Sequence, residues 1–506
     1  MKRILPFLLA LVSSCQPQTT DSPVPSGGIS GISASVSEIN VDDGTSKTVT
    51  FSWTAPDDEV IDVLFDKDGG DFSNPVYKGR SSQAGAKSLS LTYGSLNAIA
   101  RMAGIADGQQ GKVRWTVSGS VSGLYKAFAT ISVKRSSGSS EEPPTPVETH
   151  VHKERAEAFW SLIKQHYGTS SGLFTEEAGG RNTSFLWPYD GLVSGLACLN
   201  KLGVNVDYTG YVEKFQRYWR SSGVANVGGY GSSTNGSTGS GDRFFDDNSI
   251  VGLNLVEAYR QTKDSKYLTR CAQIVKFLRS GEDNTFGGGL WWNESHKNEP
   301  GNDDSNKPCC ANGYACWFLT SYYEFCPAAE KAEVLAFAKR LYDFLYTTLR
   351  DTDGLYWNSK GADGSLNNVK WTYNTGAMIA SGARLYAITG EKGYLDAAKK
   401  SASAAYAQFV KYADGAGSFY PDHDSWFNVK LIRAYMELEP YYDSCKSYID
   451  TFISNLDYAW THARMNNGLF YEDWTGATPR PDRDKTLLMQ DAVLEALGAV
   501  AVYKGE

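Results

Sequence analysis

Six glycine–aromatic turns recur over the C-terminal two-thirds of this chain, and this repeat restricts its fold more than any other feature. At intervals of about 50 to 65 residues, they begin at Gly172, Gly229, Gly289, Gly354, Gly417 and Gly468. Each turn lies between two amphipathic runs, and a repeat of this period is typical of stacked supersecondary units. A hairpin of two helices cannot bury its apolar face alone, whereas six hairpins can bury theirs by closing into a ring.

Twelve helical runs fit this repeat, and the connections between them alternate in length. Connections after even-numbered helices are short, whereas those after odd-numbered helices are long and carry the glycine–aromatic turns. The long loops therefore meet at one end, where the inner helices begin. We predict that residues 150–506 form an all-α (α/α)6 toroid with its cleft at that end. The helices are predicted at 153–167, 187–202, 206–220, 245–262, 264–280, 309–325, 329–349, 372–389, 391–411, 424–438, 441–463 and 484–504.

The pattern before the toroid is different. Over residues 30–135, short alternating runs are separated by Gly, Asp, Ser and Asn clusters, which predicts a small all-β immunoglobulin-like sandwich. Residues 136–149 (from SSGSSEEPPTP onward) show no periodicity and are typical of a linker. Residues 16–29 are rich in Pro, Ser, Thr and Gly, as expected for a flexible tether.

The first fifteen residues have the pattern of an export signal. Two basic residues precede an apolar run, Ile4–Val12, that is far too short to span a membrane. The sequence Val-Ser-Ser-Cys15 resembles a bacterial lipoprotein box, in which Cys15 becomes the lipidated first residue of the mature chain. The alternative is a plain cleaved signal with an incidental cysteine. We expect a cell-envelope lipoprotein, held by outer-membrane lipid at Cys15 and facing the cell surface or the periplasm.

Charge and cysteine content exclude some functions and leave one question open. The formal net charge is -8, so the chain has no basic surplus with which to bind nucleic acid. Beyond Cys15 the number of cysteines is odd, so at least one is free, and no zinc-ligand spacing is repeated. Most are predicted to be small buried apolar residues. A disulfide within the group Cys309, Cys310, Cys316 and Cys326 remains an open alternative.

One carboxylate pair has the pattern of a catalytic centre. Asp246 and Asp247 open the predicted fourth helix, an inner one, just after Arg243 and two phenylalanines. Successive helical side chains diverge by about 100°, so both can face one cleft only at the first, non-helical positions. A like charge nearby raises the second pKa, so that one carboxyl ionises while its neighbour stays protonated. Glycoside hydrolysis by a carboxyl pair needs one ionised and one protonated group. The alternative is that Asp-Asp-Asn caps the helix, as it commonly does at a helix start.

Further polar and aromatic residues are predicted at the cleft end, where they could bind a sugar. Flat apolar rings stack on sugar faces, and side-chain amides and carboxyls bind hydroxyl groups. For each of them, core packing or helix capping is the alternative. These candidates are Trp187, Tyr189, Asp190, Trp291, Trp292, Asn312, Tyr373 and Asn374.

No metal site is predicted. Asp303 and Asp304, with Asp283 and Glu299 nearby, are acidic enough to hold Ca²⁺, but no D-x-[DN]-x-[DN]-G loop occurs among them. We therefore interpret them as a solvated acidic loop.

Four motifs lie in order along the predicted toroid: Phe245-Asp-Asp-Asn248, Gly287-Gly-Gly-Leu-Trp-Trp292, Lys307-Pro-Cys-Cys-Ala-Asn-Gly313 and Trp371-Thr-Tyr-Asn-Thr-Gly376. Together these motifs resemble those of glycoside hydrolase family 76, the endo-acting α-1,6-mannanases. The resemblance covers about residues 150–506 and implies an (α/α)6 fold and retaining cleavage of α-mannan, such as yeast mannan, without metal or cofactor. It also implies that Asp246 is the nucleophile and Asp247 the general acid/base. Phe245 stands where the family often has Tyr, and the long polar loop 293–307 departs from the family pattern.

The N-terminal sandwich has a resemblance of its own. The segment FSWTAPDDEVIDVLFDKDGGDFSNPVYKGR is similar to the N-terminal module of SusE-type outer-membrane glycan-binding lipoproteins. This resemblance implies a glycan-binding module, and the alternative is a structural spacer without a ligand.

We predict a monomeric, secreted endo-α-1,6-mannanase, and two other functions remain as alternatives. A toroidal sugar epimerase would use histidines for proton transfer, and only His296 and His423 fall in the predicted cleft loops. A surface protein that binds glycan without cleaving it would use the aromatic cleft alone.

Overall fold

The computed structural model describes residues 29–55, 61–73, 75–80, 86–119, 122–136, 151–413 and 416–506. The export signal with Cys15, the tether up to residue 28 and the linker from residue 137 lie outside the described residues. The chain divides into two compact units, Met1–Val147 and Glu148–Glu506. Within the described part of the chain, no helix has the length and apolar character needed to cross a membrane.

The N-terminal unit is built from two β-sheets that pack face to face. Strands β1, β3 and β6 form one sheet, and β2, β9, β7, β4 and β5 form the other, with β8 paired to β7. Phe51 on β3 reaches across to Phe65 and Trp115 on the second sheet, with ring centroids 5.0 and 4.9 Å away. The strands are β1 Ile32–Ala34, β2 Glu38–Asn40, β3 Thr48–Trp53, β4 Ile61–Lys67, β5 Tyr77–Arg80, β6 Ser88–Thr92, β7 Gln110–Gly119, β8 Gly123–Leu124 and β9 Ala129–Lys134.

This unit differs from the predicted all-β sandwich in two ways. Strand β2 pairs with β9 in parallel, whereas the other strand pairs that the structure describes in this unit are antiparallel. A ten-residue helix, α1 (Tyr93–Met102), also follows β6 directly. The Thr92 hydroxyl accepts a hydrogen bond from the Ser95 N–H and caps this helix, which buries Leu96 and Ile99.

The C-terminal unit is helical, and helices occur at all twelve predicted positions. The third predicted helix is shorter than expected, since a 3₁₀ turn (Lys214–Tyr218) replaces its second half. The helices are α2 Val151–Tyr167, α3 Leu186–Lys201, α4 Tyr208–Glu213, α5 Phe245–Thr262, α6 Lys266–Arg279, α7 Cys309–Tyr323, α8 Lys331–Thr348, α9 Thr372–Thr389, α10 Lys392–Phe409, α11 Ser425–Leu438, α12 Ser444–His462, α13 Pro481–Asp484 and α14 Leu487–Lys504.

Six of these helices form a closed ring of contacts. In the order α3, α5, α7, α9, α11 and α14, each packs against the next, and α14 packs against α3. The others lie against this ring: α2 on α14, α4 on α3, α6 on α5, α8 on α7, α10 on α9 and α12 on α11. The ring helices are apolar on nearly every side, as helices packed both within a ring and against an outer layer must be. We call α3, α5, α7, α9, α11 and α14 the inner helices.

Short strand pairs occupy the long loops between an outer helix and the next inner one. They are β10 Trp219–Arg220 with β11 Gly229–Tyr230, β12 Ser233–Thr234 with β13 Gly239–Ser240, β14 Asn306–Pro308 with β15 Ser359–Gly361 and β16 Leu366–Asn367, and β17 Lys411–Ala413 with β18 Gly417–Phe419.

The cysteines of the helical unit answer the open disulfide question. All seven are free and buried, including Cys309, Cys310, Cys316 and Cys326. Six of them, all except Cys198, belong to the hydrophobic core of the unit, as most of the cysteines were predicted to do.

Candidate active site

A cavity of about 500 Å³ lies where the inner helices begin. Each inner helix contributes the second residue of its first turn to the cavity wall. Loop residues, among them Glu176, Ser232, Asn306 and Asn358, complete the lining. A closed ring of helices thus brings six chain segments, far apart in sequence, to one site. The six second residues are Trp187, Asp246, Cys310, Tyr373, Trp426 and Leu488.

The aspartate pair lies in the first turn of α5 and does not cap it. The residue before the helix, Phe244, is extended and makes no side-chain capping bond. Asn248 is fully buried and binds the preceding loop, since its amide nitrogen donates to the carbonyls of Tyr230 and Phe244 (3.0 and 2.8 Å). The capping alternative therefore does not account for Asp246 and Asp247, and both line the cavity.

Asp246 is held by two donors on one oxygen. The indole N–H of Trp292 and the thiol of Cys310 donate to its Oδ2, at 3.1 and 3.0 Å. Burial raises the pKa of Asp246, and these two hydrogen bonds oppose that rise. The pKa of Asp246 remains above its usual value, but these two contacts favour its ionised form relative to that of Asp247, whose carboxyl group has no such donors.

Asp247 has the opposite environment. No described residue donates a hydrogen bond to its carboxyl group, and burial raises its pKa well above the usual range. The charges of Asp246 and then Asp190 raise it further. Of two adjacent carboxyls in one cavity, Asp246 therefore ionises first and Asp247 keeps its proton.

A buried ion pair fixes the segment that leads into the aspartate pair. Arg243 binds Glu294 through two parallel hydrogen bonds, and both side chains are almost wholly buried. Glu294 also accepts the backbone N–H of Ala225 (2.9 Å). The backbone N–H of Phe245 donates to the carbonyl of Trp292 (3.0 Å). The long polar loop after Trp292 is thus tied to the start of α5.

Comparison with known proteins identifies the helical unit. Residues 154–504 match the family model of glycosyl hydrolase family 76, and residues 17–118 match that of SusE outer membrane protein. The chain belongs to glycosyl hydrolase family 76. Both resemblances seen in the sequence are thereby confirmed.

Solved structures show the same fold. The family 76 mannosidase Bt3792 from Bacteroides thetaiotaomicron VPI-5482 is 23% identical over 70% of this chain and 99% of its own, with a TM-score of 0.60. The GH76A α-1,6-mannanase from Salegentibacter sp. HEL1_6 is 22% identical over 69% of this chain and 99% of its own, with a TM-score of 0.56. A family 76 protein from a bovine B. thetaiotaomicron strain is 18% identical over 94% of this chain and all of its own, with a TM-score of 0.62.

One curated relative has a different activity. A cellobiose 2-epimerase from Eubacterium cellulosolvens is 29% identical over 97 residues, which is 19% of this chain and only 23% of that protein. Among the described residues no histidine lines the cavity of this family 76 domain. The His-based epimerase alternative therefore finds no support at this site.

Three of the predicted sugar-binding residues lie in the wall of the family 76 cavity. Trp187 stands edge-on to Trp426, with ring centroids 5.5 Å apart. Trp292 is held by its bond to Asp246, and Tyr373 stacks on Phe427 at 3.9 Å. Their rings line the same cavity as the aspartate pair.

Two other predictions are corrected by the structure. Tyr189 and Asp190 are fully buried and do not line the cavity. The Tyr189 hydroxyl donates to the Tyr211 carbonyl (2.7 Å), and Asp190 accepts from Asn254 (2.7 Å). Tyr189 is rotated by about 200° from Trp187 and points away from the cavity, whereas Asp190 is one turn further along α3, on nearly the same face but deeper in the protein.

Trp291, Asn312 and Asn374 are also fully buried and absent from the cavity wall. Trp291 donates to Asp283 (2.7 Å), so that of the two adjacent tryptophans only the second reaches the site. Asn312 clamps the glycine-rich turn, since it binds both the N–H and the carbonyl of Leu290. These residues support the loops of the site, and in the structure none of them lines the cavity.

Sequence reasoning missed Cys310 as a site residue. It was interpreted as a buried apolar residue, yet its thiol donates to Asp246. Its position in the helix could have identified it, because Cys310 is the second residue of its inner helix, as Asp246 and Tyr373 are of theirs.

The acidic residues considered as calcium ligands are dispersed. Asp283 pairs with Lys307 at 2.6 Å. Asp304 lies near Asp242 and His296, with one potential ligand atom from each within 4.8 Å of the others. All three are partly solvated, and such acidic groups are common without an ion, so we assign no metal site to them.

Proposed function

We propose that this protein is a retaining endo-α-1,6-mannanase that hydrolyses α-1,6-mannan backbones, such as those of fungal mannan, outside the cytoplasm. The observation that carries the proposal is the Asp246–Asp247 pair in the cavity of a family 76 domain. We further propose that the closed ring of six inner helices and their outer partners is the predicted (α/α)6 toroid.

The two carboxyl groups take the two roles that a retaining mechanism needs. Asp246, stabilised as a carboxylate by Trp292 and Cys310, attacks the anomeric carbon and forms a covalent glycosyl–enzyme intermediate. Asp247, which keeps its proton because of burial and the neighbouring charge, gives that proton to the leaving oxygen. The ionised Asp247 then takes a proton from water, which releases the sugar from Asp246. No metal or cofactor takes part in this scheme.

The cavity suits a neutral hexose chain. Trp187, Trp292 and Tyr373 offer ring surface for sugar faces, and Asn306 and Asn358 offer amides for hydroxyl groups. The proposed α-1,6 linkage rests on a similar protein. Structures of inactive variants of the Salegentibacter α-1,6-mannanase have been solved in complex with α-1,6-mannotetrose and α-1,6-mannotriose.

We also propose that the protein works as a monomer on the outer membrane, anchored through lipid at Cys15. The SusE match of residues 17–118 supports this location. The alternative roles of the sandwich, glycan binding or spacing, are separated by testing the isolated unit on a mannan affinity gel.

The test is incubation of the folded protein with linear α-1,6-mannan. We expect short mannooligosaccharides from the wild type and from Asp303→Asn, which alters an exposed acidic residue of the nearby loop. We expect none from Asp246→Asn or Asp247→Asn at unchanged thermal stability. No product from folded wild type would refute the proposal, and retention of mannan without product would favour a glycan-binding protein.

A further inference from the structure

A second, smaller cavity of about 210 Å³ lies beside the catalytic cavity. It is lined by residues that immediately precede the inner helices α9 and α11 or open them, among them Trp371, His423, Asp424 and Phe427. Phe427 stacks on Tyr373, which lines the catalytic cavity. This stacked pair of rings therefore forms part of the wall between the two cavities.

Trp371 gives this cavity an available aromatic surface. Its side chain is only partly buried, and its ring meets Phe427 and His423 edge-on, with centroids 5.7 and 6.1 Å away. Among the described residues, no aromatic ring stacks on a face of Trp371. A large, partly exposed ring in a cavity wall, with no stacking partner among the described residues, offers a platform for a flat apolar ligand face.

The charged groups of the cavity are already paired. Lys370 binds Asp351 and Asp353 at 2.5 and 2.6 Å. Asp424 binds Arg483. No described lining residue thus presents an uncompensated charge to a ligand, so the cavity favours a neutral ligand with hydroxyl groups over an ionic one.

An ion-pair network joins the two cavities. Arg483 lines the catalytic cavity and binds Asp424, which lines the second one. Buried Glu472 accepts hydrogen bonds from the Arg483 guanidinium and from the Asp424 N–H, both at 2.9 Å. Asp424 is thereby held in the left-handed region (φ 50°), which a non-glycine residue adopts only when its surroundings require it. These contacts therefore fix the geometry of the wall that the two cavities share.

We infer that the second cavity is a distal subsite that binds a neutral hexosyl residue of the same glycan chain whose scissile bond lies in the catalytic cavity. The inference rests on the proposed function, because it assigns the ligand from the substrate of the neighbouring site. Trp371 supplies the stacking face, and the half-exposed His423 supplies a polar group beside it.

The test compares cleavage of α-1,6-mannooligosaccharides of increasing length by the wild type, Trp371→Ala and His423→Ala. His423 is about half exposed, so its removal perturbs the cavity without disturbing the core. Tyr412→Ala is the matched control, because Tyr412 is 77% exposed and lines neither cavity. Thermal unfolding verifies that each variant is folded.

We expect Trp371→Ala to lower kcat/KM roughly tenfold for oligosaccharides long enough to reach the subsite, and to leave the shortest cleaved substrate unaffected. His423→Ala should show a smaller loss with the same length dependence, and Tyr412→Ala none. A loss that is equal at every length, or no loss at any length in both variants, would overturn the inference.

Binding separates this inference from the proposed function. In the non-hydrolysing Asp246→Asn/Asp247→Asn background, Trp371→Ala should weaken binding of α-1,6-mannohexaose by a similar factor in calorimetric titration. If Trp371→Ala does not change the affinity for mannohexaose, and the wild type cleaves mannan, the inference is refuted and the proposed function stands. Absence of any cleavage by the wild type refutes the proposed function instead.

Discussion

Replacement of Trp292 by phenylalanine should shift the acid limb of the pH–activity profile upward. The change removes the N–H that donates to Asp246 Oδ2 at 3.1 Å and keeps an aromatic ring in the cavity wall. A hydrogen bond to a charged group is worth about 1.5–3 kcal/mol, and one pKa unit corresponds to about 1.4 kcal/mol. Because the bond is long and Cys310 still donates, we expect the lower end, a rise of about one unit in the pKa of Asp246.

The sign follows from the role of Asp246. Its attack requires the carboxylate, so a higher pKa depletes the active form at low pH. The profile of kcat/KM against pH on an α-1,6-mannooligosaccharide should move its acid limb about one unit higher, with activity roughly tenfold lower below that limb. Trp291→Phe is the matched control, since that indole donates to Asp283 outside the cavity. An unmoved acid limb in Trp292→Phe, or an equal shift in both variants, would refute the reasoning.

Three further predictions concern stability. Glu294→Gln leaves Arg243 buried without a counter-charge, so the free energy of unfolding of the helical unit should fall by about 3–5 kcal/mol in urea titration; an unchanged value would contradict the assigned ion pair. A reducing agent should leave the thermal midpoint unchanged, because all seven described cysteines are free; a lower midpoint would reveal a disulfide. Burial disfavours the charged His152 imidazolium, but hydrogen bonds with Asp457 and Glu506 outweigh it and raise the pKa of His152. Protection of the start of α2 against hydrogen exchange should therefore be full below a pH of about 6.5 and decline as pH rises through the raised pKa; protection that grows over this range would contradict the pairing.

The helical architecture could be predicted because it rests on a repeated local pattern. Each glycine–aromatic turn marks the loop between an outer and an inner helix, and the alternation of loop lengths assigns the helices to two layers. The same pattern placed Asp246 and Tyr373 at one end of the unit, and they line the cavity there. The third predicted helix ended early because its second half, around Phe215 and Tyr218, buries aromatic rings in a 3₁₀ turn.

The sequence could not separate residues that face the cavity from those one position away. A helix rotates each successive side chain by about 100°, so Tyr189, two residues after Trp187, points into the protein, and Asp190, one turn along on nearly the same face, is too deep to reach the cavity. The different orientations of Trp291 and Trp292 depend on the backbone path of three consecutive glycines, at positions 287, 288 and 289, which all have positive φ. The amino-acid sequence does not determine that path. Helix α1, which follows β6 directly, was not predicted.

The most direct test of the proposed catalytic pair is the anomeric form of the first product. Proton NMR can follow cleavage of α-1,6-mannotetraose by the wild type, before mutarotation mixes the anomers. If Asp246 forms a covalent intermediate and Asp247 acts as acid and then base, the newly formed reducing end appears first as the α-anomer. Initial appearance of the β-anomer would show inversion and would contradict the roles assigned to both residues.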